Sequence, residues 1–111
     1  MSGMTERRTV LDRRLTDEIV QRLLAMAPLK IFLFGSQAAG TAGEESDVDL
    51  MIVKERVSSP VREAIEARRL LRGLGRAFDL VVATREEFEF YRSQMNSVHH
   101  AAAHYGRCLY G

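Results

Sequence analysis

Two apolar runs, one ending in a tight turn and the other opening on acidic residues, constrain the fold of this chain most. The run at 31–34 ends in a Gly-Ser pair at 35–36, and ten residues later Asp47 and Asp49 frame the start of a second run at 48–53. Short apolar runs bounded by turn residues are typical of buried strands. Alternate side chains of a strand share a face, so Asp47 and Asp49 should point together, away from the core.

The chemistry of these residues indicates a site for a nucleotide and a metal ion. Asp47 and Asp49 would lie roughly 7 Å apart along the strand, and two such carboxylates repel unless a cation lies near both. Hard divalent metals with oxygen ligands, such as Mg²⁺, fit this position. Gly35 has no side chain, so phosphate oxygens can approach its backbone, and Ser36 adds a hydroxyl group at the turn.

A third apolar run, at 78–83, contains a single charged residue, Asp79. Each feature has an ordinary structural interpretation: the Gly-Ser pair as a turn, Asp47 and Asp49 as a solvated loop-to-strand junction, and Asp79 as a strand residue facing water. A purely structural account must explain acidic or turn interruptions of three separate apolar segments. Their coincidence favours a functional site.

Length and charge limit the classes of function. The chain has 111 residues, enough for one domain with a modest core. Its net charge of +1, from 16 basic and 15 acidic residues, argues against direct binding of a nucleic acid polymer. One cysteine excludes an internal disulfide, and neither a signal peptide nor a long apolar span is evident. We therefore expect a cytoplasmic protein with no membrane association.

The remaining pattern predicts an α/β domain at 16–111 that follows a flexible arm at 1–15. We expect a first helix capped by Thr16 and stopped by Pro28, and strands at 30–34, 48–53 and 78–83. A second helix should start at Pro60, and Thr84 should open a last helical region. The expected apolar stripes of these two helices are Val61, Ile65, Leu70, Leu71 and Leu74, and Phe88, Tyr91 and Met95, respectively.

Several segments carry a resemblance to the minimal nucleotidyltransferases of the DNA polymerase β superfamily. These are the strand and turn at 31–36, Gly40, the Ser-Asp-Val-Asp-Leu segment at 46–50, the strand at 78–82 and the closing segment at 106–110. The resemblance implies the nucleotidyltransferase palm, a small mixed β-sheet flanked by helices.

The same resemblance implies roles for individual residues. Asp47, Asp49 and Asp79 would hold Mg²⁺, and Asp79 would also lower the pKa of the acceptor hydroxyl or accept its proton. Gly35, Ser36 and Gln37 would bind the nucleotide substrate, ATP. Family members typically carry arginines directly after the Gly-Ser pair, where this chain has Gln37 followed by two alanines. A glutamine donates only neutral hydrogen bonds, roughly half as strong as charge-assisted ones.

The resemblance also implies an activity and a partner. The first expectation is a Mg²⁺-dependent nucleotidyltransferase that transfers AMP from ATP to a hydroxyl group on a partner protein. Small members of this family resemble antitoxins whose partner is a HEPN-domain ribonuclease. One alternative is a catalytically weak or inactive antitoxin that neutralises its partner by binding. Another is modification of a small molecule, disfavoured because the chain has no second domain to hold it.

Two further clusters allow alternative interpretations. The second helix carries a row of arginines, Arg62, Arg69, Arg72 and Arg76, that is more simply a solvated face than a binding surface. His100 and His104 are four residues apart and could bind zinc on one helix face. No cysteine or carboxylate lies in the same stretch, so surface histidines are the favoured interpretation.

Overall fold

The computed structural model describes residues 13–35 and 47–111. Its elements, in chain order, are α1 (Arg13–Leu23), a short 3₁₀ turn (Leu24–Met26), β1 (Lys30–Phe34), β2 (Val48–Lys54), α2 (Pro60–Leu70), β3 (Phe78–Thr84), α3 (Arg85–Tyr91), α4 (Val98–Tyr105) and β4 (Arg107–Tyr110). The expected α/β class with a small mixed sheet flanked by helices is confirmed.

The four strands form one sheet in the order β3-β2-β1-β4. β2 and β3 are parallel, whereas β1 runs antiparallel to both β2 and β4. The end of β1 therefore lies at the same edge of the sheet as the starts of β2 and β3. This edge carries the acidic residues found in the sequence.

Helices cover both faces of the sheet and create two apolar clusters. The first contains the buried side chains of α1, α2 and alternate strand positions: Ile19, Leu23, Met26, Ile31, Leu33, Val48, Leu50, Ile52, Ala67, Leu71, Phe78, Leu80 and Val82. The second contains Phe32, Met51, Val53, Phe88 and Ala102. Phe88 of α3 stacks on Phe32 of β1, with ring centroids 5.2 Å apart.

The start of the first helix differs from the prediction. α1 already contains Arg13, and the Thr16 hydroxyl donates to the Arg13 carbonyl oxygen at 2.9 Å, so Thr16 lies inside the helix. The helix extends further because Leu15 also packs against the core. Of the arm expected at 1–15, residues 1–12 lie outside the described residues, and the domain boundary at 16 stays a prediction.

The predicted apolar stripe of α2 is partly wrong. Ser59 caps this helix and Pro60 begins it, as expected, but Val61 and Ile65 are 70% and 49% exposed. The other three residues of the predicted stripe do face the core, since Leu71 is buried and Leu70 and Leu74 pack against the first cluster. Ala67 is the buried residue that the prediction missed. An ion pair between Lys54 and Glu63 also joins this side of the helix to β2.

The last third of the chain holds two more differences. Thr84 forms the predicted capping box with Glu87, but α3 ends at Tyr91, so Met95 falls outside its periodicity and is 80% exposed. Strand β4 was not predicted. It carries Cys108, which is exposed. Within the described residues, no helix has the length and apolar character needed to cross a membrane.

Candidate active site

The candidate site lies at the edge of the sheet where β1 ends and where β2 and β3 begin. Gly35 follows β1 and adopts a φ angle of +73°, in the left-handed region that favours glycine. Phe34, the last residue of β1, is the register partner of Asp49 on β2. The turn predicted from the Gly-Ser pair therefore lies directly beside the predicted carboxylates.

Asp49 and Asp79 are direct neighbours across two parallel strands. They are register partners in the pairing of β2 with β3. Adjacent strands are about 4.8 Å apart, so both carboxylates leave the sheet at nearly the same point. Asp49 alternates with the core residue Leu50 and shares a face with Met51, so the pair lies on the side of the sheet that α3 and α4 cover.

The environment of Asp49 disfavours its charged form. Burial raises the pKa of the Asp49 carboxyl group, and the nearby charges of Asp79 and Asp47 raise this pKa further. A hydrogen bond between the side chains of Asp49 and Asp79 also raises the pKa of Asp49. This bond favours the protonated form of the Asp49 carboxyl group. A nearby cation would favour the ionised form of Asp49, because its positive charge offsets the repulsion from Asp79 and Asp47.

Gly35 fits so closely against Asp49 that no other residue could replace it without movement. A Cβ atom added to Gly35 would overlap the Asp49 Oδ2 atom and lie 3.2 Å from its Cγ atom. The missing side chain thus leaves room for a carboxylate beside the backbone of the turn.

Asp47 comes directly before β2 and is exposed. It is close enough to raise the pKa of Asp49, but the three aspartates do not form a closed cluster. In the part of the chain that the structure describes, no group of three His, Cys, Asp or Glu side chains is arranged to hold a metal ion. The structure thus brings Asp49 and Asp79 together and leaves Asp47 at the margin. Ser36 and Gln37 lie outside the described residues.

The donor set nevertheless suits a hard divalent cation. Asp49, Asp79 and Asp47 offer carboxylate oxygens, the ligand type that Mg²⁺ prefers. The pKa of Asp49 is raised first by burial and then by the charges of Asp79 and Asp47, and a bound cation would offset both effects. An open cavity of about 530 Å³ lies at the far end of β2 and β3, where Arg85 pairs with Glu55 at 3.1 Å.

Sequence reasoning missed the direct opposition of Asp49 and Asp79, and also the approach of α4 to this edge. Gly106, which follows α4, packs so closely that an added Cβ atom would lie 2.8 Å from the Leu33 carbonyl oxygen. Leu33 is one residue before the end of β1. The one available signal was the glycine between the alanine-rich stretch and the closing apolar residues.

Comparison with known proteins agrees with this geometry. The family model described as "Nucleotidyltransferase domain" matches residues 13–103, most of the chain. The fold is similar to the crystal structure of "a putative nucleotidyltransferase from Sulfolobus solfataricus", with a TM-score of 0.56 and 22% identity over 80% of this chain and 78% of that one. None of the curated proteins matches this sequence. With the strands, the turn and the paired carboxylates in place, the chain belongs to the nucleotidyltransferase domain family.

Proposed function

We propose that this protein is a Mg²⁺-dependent nucleotidyltransferase that transfers AMP from ATP to a hydroxyl group on a partner protein. The proposed partner is a HEPN-domain ribonuclease, which the transfer would silence, so that the chain acts as its antitoxin. We also propose a cytoplasmic location, where ATP is available. The nucleotidyltransferase family supports the reaction class.

One observation carries the proposal: Asp49 and Asp79 are register partners beside the Gly35 turn. Nucleotidyl transfer depends on positioning and on stabilising charge at the phosphoryl oxygens more than on covalent chemistry. Two carboxylates fixed by neighbouring strands provide a rigid anionic edge. In this proposal the backbone N–H groups of the turn that begins at Gly35 would bind the phosphate oxygens.

In this proposal each residue has a distinct role. Asp47 and Asp49 would hold Mg²⁺, with Asp79 completing the ligand set. Bound Mg²⁺ supplies neutralisation of phosphate charge and a Lewis acid for the reacting phosphoryl group. Asp79, which is exposed, would accept the proton of the acceptor hydroxyl as its oxygen attacks the α-phosphorus and pyrophosphate leaves. Gly35, Ser36 and Gln37 would position the phosphate groups.

Binding of Mg²⁺ and ATP is the first test. At a ligand concentration one hundred times Kd, the folded protein gains about 2.7 kcal/mol, which is visible as a rise in Tm. The rise should disappear in the double variant Asp49→Asn with Asp79→Asn. Asp17→Asn is the matched control, because Asp17 is an exposed aspartate on α1, over the opposite face of the sheet. An unchanged Tm of the native protein in millimolar Mg²⁺ and ATP would contradict the proposal.

The acceptor requires a separate experiment. Co-expression with the product of the neighbouring gene, followed by intact mass spectrometry, should reveal AMP additions on the partner. These additions should be absent with Asp49→Asn and present with Asp17→Asn. Failure of the two proteins to form a complex would contradict a protein acceptor and favour a small-molecule acceptor.

A second candidate function is inhibition of the same partner by binding alone. It is favoured by Gln37 and the alanines at 38 and 39, which replace the arginines that family members typically carry at this point. The co-expression experiment separates the two functions. A stable complex that carries no AMP after incubation with Mg²⁺ and ATP would support binding alone.

A further inference from the structure

We propose that His100 and His104 form a binding site for one divalent transition-metal ion such as Ni²⁺. This site would be separate from the carboxylate edge and would use imidazole nitrogens rather than carboxylate oxygens. Nothing in the proposed transfer reaction requires it.

Helix α4 holds the two histidines on one of its faces. Ser97 caps the helix by accepting a hydrogen bond from the backbone N–H of His100 at 3.0 Å. Ala102 is fully buried against the sheet, which fixes the helix rotation. Residues four apart on a helix are neighbours on its surface, so His100 and His104 lie one above the other.

The distance between the two rings suits shared coordination. Their centroids are 4.2 Å apart, and their planes are tilted by 32°. With metal–nitrogen bonds of about 2.1 Å, two imidazoles in neighbouring positions of an octahedral or square-planar ion have centroids roughly 4.5 Å apart. A tetrahedral ion would need roughly 5 Å. The observed centroid distance is therefore nearer to the octahedral or square-planar value, and rotation about χ2 would turn the ring nitrogens toward a shared ion.

The surroundings also favour a cation of this class. Imidazole binds nickel, copper and zinc better than it binds magnesium, which prefers oxygen ligands. In these proposals Mg²⁺ would bind the aspartate carboxylates and Ni²⁺ would bind the histidine imidazoles, because each ion prefers that type of ligand. His104 lies in the last turn of α4, where the carbonyl groups give the helix end a partial negative charge. His104 is exposed and His100 is half-buried, so water can complete the coordination.

The neighbouring histidine provides a matched control. His99 stacks on Tyr91 with ring centroids 5.2 Å apart, and its Nδ1 atom is buried without a hydrogen-bond partner among the described residues. Burial lowers the pKa of this imidazole. His99 belongs to the packing between α3 and α4. His99 has the same imidazole side chain as the proposed ligands but lies on a different face of the helix.

The test is titration of the full chain, without an affinity tag, with NiCl₂ in an isothermal calorimeter. In the double variant Asp49→Asn with Asp79→Asn, which removes the carboxylate edge, one Ni²⁺ should still bind per chain. Either His100→Ala or His104→Ala should weaken the affinity at least tenfold, because one ligand remains. His99→Asn and the double variant Asp49→Asn with Asp79→Asn should stay within twofold of the native chain. Circular dichroism verifies that each variant is folded.

Several outcomes would overturn the proposal. They are no Ni²⁺ binding to the native chain, equal binding after either histidine is removed, and loss of binding in the aspartate variant. NMR of the native chain is a second readout that needs no variant. Paramagnetic Ni²⁺ should shift or broaden the imidazole signals of His100 and His104 much more than those of His99. Equal effects on all three rings would contradict a site built from the pair.

Discussion

At the scale of single residues, Asp49 occupies the space that any larger residue at position 35 would need. Gly35 provides a positive φ angle and an empty position for the carboxylate at the same time. Gly75 has a closely similar φ of +75° but no heavy atom within 4 Å of an added Cβ atom. Comparing a substitution at Gly35 with one at Gly75 therefore separates the cost of backbone strain from the cost of steric overlap.

We expect Gly35→Ala to destabilise the protein more than Gly75→Ala. Both variants place an L residue in the left-handed region, at a cost of about 1 to 2 kcal/mol. Gly35→Ala also forces the Asp49 carboxylate to move, and an off-rotamer side chain costs about 0.5 to 1.5 kcal/mol more. Urea denaturation measures both. Combining Gly35→Ala with Asp49→Ala should reduce the difference, whereas equal losses in the two glycine variants would contradict the contact.

Asp49→Asn should stabilise the metal-free protein at neutral pH. The pKa of Asp49 is raised in the folded state, so the fold disfavours the ionised carboxylate. The contribution of Asp49 to stability is fully present below its unfolded pKa, near 3.9, and is lost as pH rises through the folded value. Asparagine does not ionise and escapes this loss. The Tm difference between variant and native protein should therefore grow from pH 4 to pH 8, and a constant difference would contradict the effect.

Residue identity predicted part of the site and missed another part. Alternation along a strand predicted that Asp49 lies opposite to the core residue Leu50, and the structure agrees. The opposition of Asp49 and Asp79 depends on the register of β2 against β3. Register is set by packing between distant segments, so residues read one at a time do not reveal it.

At the scale of elements, helix α2 shows which signals are local. Its start was predicted correctly, because the Ser59 cap and Pro60 act within one turn. Its buried face was predicted only in part, because Val61 and Ile65 also follow a helical spacing but are exposed. What fixes the rotation of the helix is its contact with the sheet. Glu63 accepts from Lys54 of β2, and it also accepts from the Ser58 backbone at 2.9 Å.

Truncation of two apolar residues in and after α2 should distinguish the two faces. Leu71 is 1% exposed and belongs to the first core cluster, so Leu71→Ala should cost about 2 to 5 kcal/mol. Ile65 is 49% exposed, and we expect Ile65→Ala to cost less than about 1 kcal/mol. Both substitutions create alanine, and chemical denaturation compares them directly. Similar losses would support the stripe predicted from the sequence.

At the scale of the whole molecule, the alternation of helices and strands predicted the α/β class, but the strand order could not be read from it. β4 is short, and most of its residues are exposed, so it lacks the apolar run that marks a strand. Contacts distant in sequence close the fold. Arg22 of α1 donates to the carbonyl oxygens of Leu70 and Arg72 at 3.2 and 2.7 Å. The candidate site depends on the same topology, because antiparallel β1 and parallel β3 bring three chain segments to one edge.

The exposure of Cys108 makes the protein suitable for labelling at one chosen position. It is the only cysteine in the chain, so a thiol-reactive fluorophore would attach there without any engineered substitution. Cys108 pairs with Phe32 on β1, the strand that leads into Gly35. A dye at this position would sit one strand away from β1 and could follow ligand binding by fluorescence anisotropy in the unaltered sequence.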